Sequence, residues 1–245
     1  MSRKKKNGNG NGNGNGKIEK ENVEEITKIV VKKTTKKQIL IKAKTEHQKE
    51  LLKSIEENIV TIVAGPAGSG KSRISVVCGL KEFMEGNYKK MIFTRPCVEA
   101  NGENLGFLPG SLNEKIHPYM YPIFDFLSEY LTPKQIGDMM KLEKIITLPL
   151  AFMRGVTLKN AFVILDEGQN TIPKQMRMFL TRIGDNCKVV INGDPDQSDI
   201  KVKNGLIDAC ERLEGVKDLQ IIKFDETDIV RHPIVAEIEE KYKEE

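Results

Sequence analysis

The longest apolar stretches of this chain, such as Ile145 to Met153, fall well short of the ~18 residues a membrane-spanning helix needs. A signal peptide is also missing, because Arg3-Lys4-Lys5-Lys6 leads into Asn-Gly repeats instead of an apolar segment. The 4 cysteines, Cys78, Cys97, Cys187 and Cys210, form no C-x-x-C pair. That spacing fits buried thiols better than disulfides or zinc ligands. The 3 histidines lie far apart and make no metal-ligand pattern. No internal repeat of ~20–50 residues is visible. These absences point away from a membrane partner, a disulfide-stapled secreted scaffold and a Cys/His metal centre. A soluble, cytoplasmic protein is the expectation.

What is present is unevenly distributed. The net charge is +4, yet residues 1–44 carry 13 Lys/Arg against 4 Glu, and residues 45–245 hold a net −5. Residues 1–44 therefore read as a basic arm, with a flexible low-complexity spacer from Asn7 to Gly16. The runs 26–31 and 38–41 flank a Lys/Thr-rich turn and suggest a short hairpin. Two readings fit such an arm: contact with nucleic acid, another acidic partner or a membrane surface, or a solubilising tail.

Residues 45–245 read as one α/β domain. Residues Gly65 to Ser72 spell GPAGSGKS, which fits the phosphate-binding pattern G-x-x-x-x-G-K-[ST]. A β-branched run, 59–63, precedes it, and Ile74, Val77, Cys78, Leu80 and Phe83 follow near helical spacing. Strand, Gly-rich loop and helix is the context that the motif requires. Gly65, Gly68 and Gly70 allow the backbone to curl, so that the N–H groups of Pro66-Ala67-Gly68-Ser69-Gly70, proline excepted, face phosphate oxygens. Lys71 would reach the β/γ-phosphates, and the Ser72 hydroxyl would hold Mg²⁺. A dinucleotide fold would need glycine at 73, where Arg73 stands.

Further strands are expected at 91–94, 161–165, 187–191 and 219–223, the last three buried. Helices are expected at 46–57, 71–85, 111–117, 119–130 and 133–141. Strands alternating with helices predict a mainly parallel sheet covered on both faces. Active residues then belong at the carboxyl ends of strands. Gly65–Ser72, Arg95, Asp166–Asn170 and Gly193–Gln197 all follow such ends.

The segment VILDEGQN ends an apolar run in two adjacent carboxylates. Asp166, pinned at a strand end, is suited to hold Mg²⁺, and Glu167 to take a proton from an attacking water. Gln169 and Gln197 also follow strand ends beside acids. An amide there can donate to a γ-phosphate oxygen and accept from water, which suits a triphosphate sensor.

Taken in order, the segments TEHQ, TRPCVEANGENLGFLPG, PLAFMRGVTLKNAFVILDEGQN, MFLTRIG, INGDPDQSD and DIVRHP resemble the PhoH-like ATPases, which are related to superfamily 1 helicases. The resemblance covers about Ala43 to Pro233. It implies a single RecA-like P-loop NTPase domain, with Gln48 reading the adenine edge and Arg231 acting as an arginine finger. It also suggests a hexameric ring. The expectation is an ATPase with ATP and Mg²⁺ as cofactors, in which Lys71, Glu167, Gln197 and Arg231 are catalytic. Its turnover would be coupled to nucleic acid, RNA favoured over DNA. An ATP-gated binding module with slow turnover is one rival, and a P-loop kinase using the same loop is another. A GTPase resembling Ras would carry an Asn-Lys-x-Asp segment, which does not occur.

Overall fold

The computed structural model describes residues 39–96, 120–200 and 202–230, with the single residues 234 and 241. The helix expected over 111–117, most of the hairpin, Cys97 and Arg231 lie outside the described residues. Residues 39–41 are described and form no strand.

Helix α1, Glu46–Glu57, starts where Thr45 accepts a hydrogen bond from the Gln48 backbone N–H at 3.2 Å. A side-chain cap of this kind satisfies one of the orphan amides of the first turn. Its buried residues, Gln48, Leu51, Ser54 and Ile55, repeat at helical spacing and define one stripe. Strand β1, Val60–Ala64, is buried at every position, as a strand covered on both faces must be. The loop follows, then α2, Lys71–Met84, and β2, Lys90–Thr94. After the undescribed segment come α3, Tyr121–Ser128, α4, Pro133–Lys141, and β3, Ile145–Thr147. A capping box at Thr132 and Gln135, with Pro133 at the first helical position, sets the start of α4. A 3-10 turn, Leu150–Met153, precedes β4, Ala161–Leu165. A second such turn, Gly168–Asn170, leads to α5, Pro173–Leu180, then β5, Cys187–Gly193, α6, Gly205–Arg212, and β6, Leu219–Lys223.

The strands form one 6-stranded sheet in the order β3-β2-β4-β5-β1-β6, and every pairing is parallel. Side chains alternate across it. On one face Ile62, Val163, Val189 and Ile191 pack with Met176 and Phe179 of α5 and Leu206 of α6. On the other, Ser54 of α1 meets Thr61 of β1 at 2.9 Å. Gly79 of α2 approaches so closely that a Cβ there would lie 2.7 Å from Phe162. Helices therefore cover both faces, as the alternation predicts.

Two strands differ from expectation. β3 is an added edge strand of 3 residues inside the apolar stretch that begins at Ile145, too short to give a strand pattern of its own. β6 is not buried: it is the opposite edge, where Gln220 and Lys223 are exposed and Ile222 alone is fully covered. A five-residue segment with three apolar residues, as in LQIIK, does not distinguish a central strand from an edge strand whose flank is open.

The described thiols behave as buried groups. Burial pushes Cys78 up to about 12 and Cys187 up to about 11. No helix among the described residues is long and apolar enough to cross a membrane.

Candidate nucleotide site

β1 lies between β5 and β6, and the chain leaving it passes over β5 and β4 to build β2. Such a switch in strand order opens a crevice at the carboxyl ends of the strands. The phosphate loop fills that position. Gly70 enters α2 with φ +85°, a left-handed conformation that costs glycine little and other residues more. Gly65 is fixed by crowding, since a Cβ there would stand 2.5 Å from the Cβ of Phe224 and 2.6 Å from its carbonyl oxygen. The loop is thus held against the segment that leaves β6.

A cavity of about 890 Å³ opens over the loop. Its walls include Gln48, Ala67, Gly68, Gly70, Lys71, Ser72, Asp166, Glu167 and Gln197 among the residues expected from sequence. Arg95, Asn192, Asp194, Leu40, Lys42 and Lys44 also line it. The last three fall in the segment that composition assigns to the arm, and in the structure they belong to the same compact unit as the sheet. Gly65 and Pro66 line a neighbouring hollow instead, and Ser69 is buried, its hydroxyl donating to the Pro66 carbonyl at 2.7 Å.

The Lys71 ammonium donates to the carbonyls of Gly65 and Pro66, both at 2.7 Å, and to the Ser69 hydroxyl at 3.1 Å. It is held over the loop by groups that a phosphate oxygen can replace. Ser72 Oγ donates to Asp166 Oδ1 at 2.7 Å, which joins the start of α2 to the end of β4. The other carboxylate oxygen of Asp166 accepts from the guanidinium of Arg95, through Nε at 3.1 Å and through Nη2. Asp166 is 2% exposed, so this pairing compensates a charge removed from water. A hydroxyl and a carboxylate meeting at the edge of a phosphate loop form the oxygen-donor set that Mg²⁺ takes alongside phosphate oxygens.

Glu167 adopts the left-handed region at φ 57°, ψ 41°, which is uncommon for a residue with a long side chain. Strain of this kind concentrates at functional positions. The Gln169 amide donates to Glu167 Oε2 at 2.6 Å and to the Gln197 carbonyl at 3.2 Å, and its oxygen accepts from the Asp194 N–H at 3.0 Å. Gln169 is 2% exposed and stands behind the cavity wall. In this arrangement it holds Glu167, whereas Gln197 is exposed at the cavity mouth. Gln48 is likewise engaged on both ends, donating to the Ser69 carbonyl at 2.9 Å and accepting from the Lys44 N–H at 2.7 Å. It braces α1 against the loop while facing the cavity.

Three further side chains belong to this network. Asp194 Oδ2 accepts the loop N–H of Ala67 at 2.9 Å. Asn192 accepts from Ser75 at 2.8 Å and lies 3.5 Å from Asp166 Oδ1. Arg95 sits one residue beyond β2, and its basic side chain at a strand's carboxyl end was the available signal. Asp194 falls in the Gly193–Gln197 stretch that follows a strand end, whereas Asn192, inside β5, gave no signal of its own, because its place depends on the pairing of β5 with β1, where Gly193 faces Ala64. Val230, the residue before Arg231, donates its N–H to the Gly68 carbonyl at 3.0 Å.

The histidines do not all stand alone in space. His47 Nδ1 lies 2.7 Å from Asp228 Oδ2, and a ligand atom of Asp225 falls with both inside 4.8 Å. The hydrogen bond to Asp228 raises the His47 pKa, ahead of the opposing effect of burial. Burial opposes ionisation of Asp228, but hydrogen bonds from Thr45, the Asp225 backbone and His47 outweigh it and hold its carboxyl below the usual range. The group ties the start of α1 to the 3-10 turn Glu226–Asp228.

Comparison with known proteins agrees with this architecture. In fold, the chain is similar to the large terminase of a thermophilic bacteriophage, with a TM-score of 0.51 at 14% identity, over 81% of this chain and 50% of that one. It is 46% identical over 221 residues to a PhoH-like protein of Bacillus subtilis, covering 89% of this chain and 67% of the relative. A PhoH-like protein of Synechocystis is 42% identical over 219 residues, with 89% and 66% covered. The chain thus spans about two-thirds of the length of these relatives. The family model described as PhoH-like protein matches residues 40–243, and with a parallel P-loop NTPase sheet beneath that match the chain belongs to the PhoH-like protein family.

Proposed function

We propose that this protein is an ATPase that hydrolyses ATP to ADP and phosphate at the cavity over the loop, with Mg²⁺ as its metal. The observation that carries the reading is the Ser72–Asp166 hydrogen bond at 2.7 Å, with Glu167 beside it and braced by Gln169 at 2.6 Å. Phosphoryl transfer requires positioning and charge stabilisation more than covalent chemistry. Loop amides and Lys71 bind the phosphate oxygens, and Gln48 and Lys44 bound the far side of the cavity where a base would lie. Ser72 and Asp166 would hold Mg²⁺, which when bound neutralises charge on the β- and γ-phosphate oxygens. Glu167 accepts a proton from the attacking water, and Gln197 at the mouth orients it. Gln169 keeps the Glu167 carboxylate in one orientation.

Coupling of turnover to nucleic acid, RNA before DNA, is supported by the family's resemblance to helicases and by the basic residues 1–44. The same resemblance supports a ring of identical chains, in which Arg231 of one copy completes the site of the next. Phosphate release by the purified chain tests the central reading. Turnover should require both ATP and Mg²⁺ and should rise with single-stranded RNA. A chain that binds ATP with Mg²⁺ and releases no phosphate under any of these conditions would sink the ATPase and leave the slow binding module.

A further inference from the structure

On the face of the sheet covered by α5, away from the nucleotide cavity, lies a shallow hollow of about 460 Å³. Arg154, Lys174, Arg177 and Arg182 line it with Met178, and no acidic side chain does. Every ion pair among the described residues uses other cations. The Arg182 Nε is enclosed and has no hydrogen-bond partner among the described residues, although its Nη2 reaches Thr181 at 3.3 Å. Residues 45–245 are net acidic, so four cations converging without carboxylates need an explanation. A solvated basic face would carry interspersed acids, as α1 does with Lys49 and Glu46. Two residues before Arg154 in sequence, Phe152 is 53% exposed on the turn Leu150–Met153, which packs against α5.

We propose that this hollow, together with the exposed Phe152 two residues before Arg154, binds the backbone of single-stranded nucleic acid. The proposal rests on the nucleic-acid reading above and gives it a location. Phosphates match the four unneutralised cations, and the exposed Phe152 ring offers a platform on which one base stacks. An apolar peptide would leave the four cations unpaired. The placement also supplies a route to the nucleotide. One wall, the turn Leu150–Met153, hangs by the Leu150 N–H on the Arg95 carbonyl at 3.0 Å, and the Arg95 side chain holds Asp166. The other wall, α5, begins three residues after Asn170, at the end of the turn that starts from the strained Glu167. A shift at either carboxylate therefore reaches a wall that touches the strand.

The test uses the full chain and fluorescent oligouridine, with oligodeoxythymidine as a second arm, titrated across salt concentrations. Arg154, Lys174 and Arg177 are exposed, so their joint replacement by alanine leaves the fold intact. That triple variant should bind at least about tenfold more weakly, and the slope of log affinity against log salt should flatten by about 2, the loss of three single-strand phosphate contacts. Phe152→Ala should weaken binding by about tenfold with the salt slope unchanged. A control removing Lys49, Lys53 and Lys81 from the opposite face should bind like wild type. Binding of a fluorescent ATP analogue should be unaltered in all. Wild-type affinity and slope in the triple variant, or an equal loss in the control, would overturn the location alone. If the wild type binds the ATP analogue but neither oligonucleotide, the nucleic-acid reading fails with it.

Discussion

Ser72 and Asp166 stand 94 positions apart in sequence, and a 2.7 Å hydrogen bond joins them across the mouth of the sheet. The same carboxylate is paired through its other oxygen with Arg95, so Asp166 is shared between the phosphate loop and the end of β2. A cation entering at Ser72 would compete with the guanidinium for one buried charge.

Arg95→Ala should therefore destabilise the chain conditionally. Leaving the carboxylate with only its Ser72 and Asn192 partners should cost about 1–3 kcal/mol. In a domain of this size that is a fall in Tm of roughly 2–10 °C. With Mg²⁺ and an ATP analogue present, the deficit should shrink by half or more, because the metal replaces the lost positive charge. Thermal unfolding of both proteins in chelator and in Mg²⁺ measures this. An identical deficit in the two conditions would show that no metal takes the place of Arg95 at Asp166.

Lys71 and Glu167 should separate by what each loses. Glu167→Gln keeps the shape of the side chain and should retain ATP binding, while phosphate release falls by roughly 10²- to 10⁴-fold. Lys71→Ala removes a charge that faces phosphates in the ground state as well as in the transition state, so binding should weaken too. Fluorescent-analogue titration beside phosphate release distinguishes them. Wild-type turnover by Glu167→Gln would remove it as the base.

The parts of the site legible in the sequence are those written locally. The phosphate loop is contiguous, with its glycines and lysine within eight residues, and Asp166 and Glu167 close an apolar run. Asn192 was not legible as a site residue, since it reaches the site only through the register of β5 on β1, and for Asp194 only its place after a strand end was readable. Gln169 shows the converse. Its position after a strand end was readable, but its burial behind Glu167 depends on the packing of the turn Gly168–Asn170 against β5 and α6. At the sheet edges the limit was length, since three residues at β3 carry too little pattern to name a strand. Lys42 and Lys44 misled through composition, because a basic stretch reads as an arm even where its last residues line a cavity.

His47 and Asp228 should give stability a pH signature. The folded pKa of His47 is raised, so its contribution is complete below the unfolded value near 6.5 and is lost as pH rises through the folded value. That of Asp228 is lowered, so its contribution is present above the ordinary carboxylate pKa and is lost as pH falls through the folded one. The pair is strongest between those limits, in mildly acidic solution. His47→Ala should lower Tm there by about 1–3 °C, since the His47 side chain is itself 34% exposed, and by less at alkaline pH. A Tm difference that does not change with pH would mean that packing of the His47 ring on Phe224, 5.9 Å away, carries the effect instead.

Arg231 provides the test of assembly. It lies outside the described residues, but Val230 before it is bonded to Gly68 of the phosphate loop, so the chain arrives at the nucleotide cavity at that point. A single domain with one sheet closes only one wall over a nucleotide. In a head-to-tail ring the second wall is the next copy, and a heterologous contact closes when its rotation permits. An arginine delivered across such an interface can accelerate turnover by about 10³- to 10⁵-fold. Lys71→Ala and Arg231→Ala should each be inactive alone. Mixed under conditions of subunit exchange, some interfaces would join an intact loop to an intact arginine, and a fraction of wild-type phosphate release should return. No recovery despite confirmed exchange, or light scattering that finds an active wild-type monomer, would refute delivery of Arg231 across an interface.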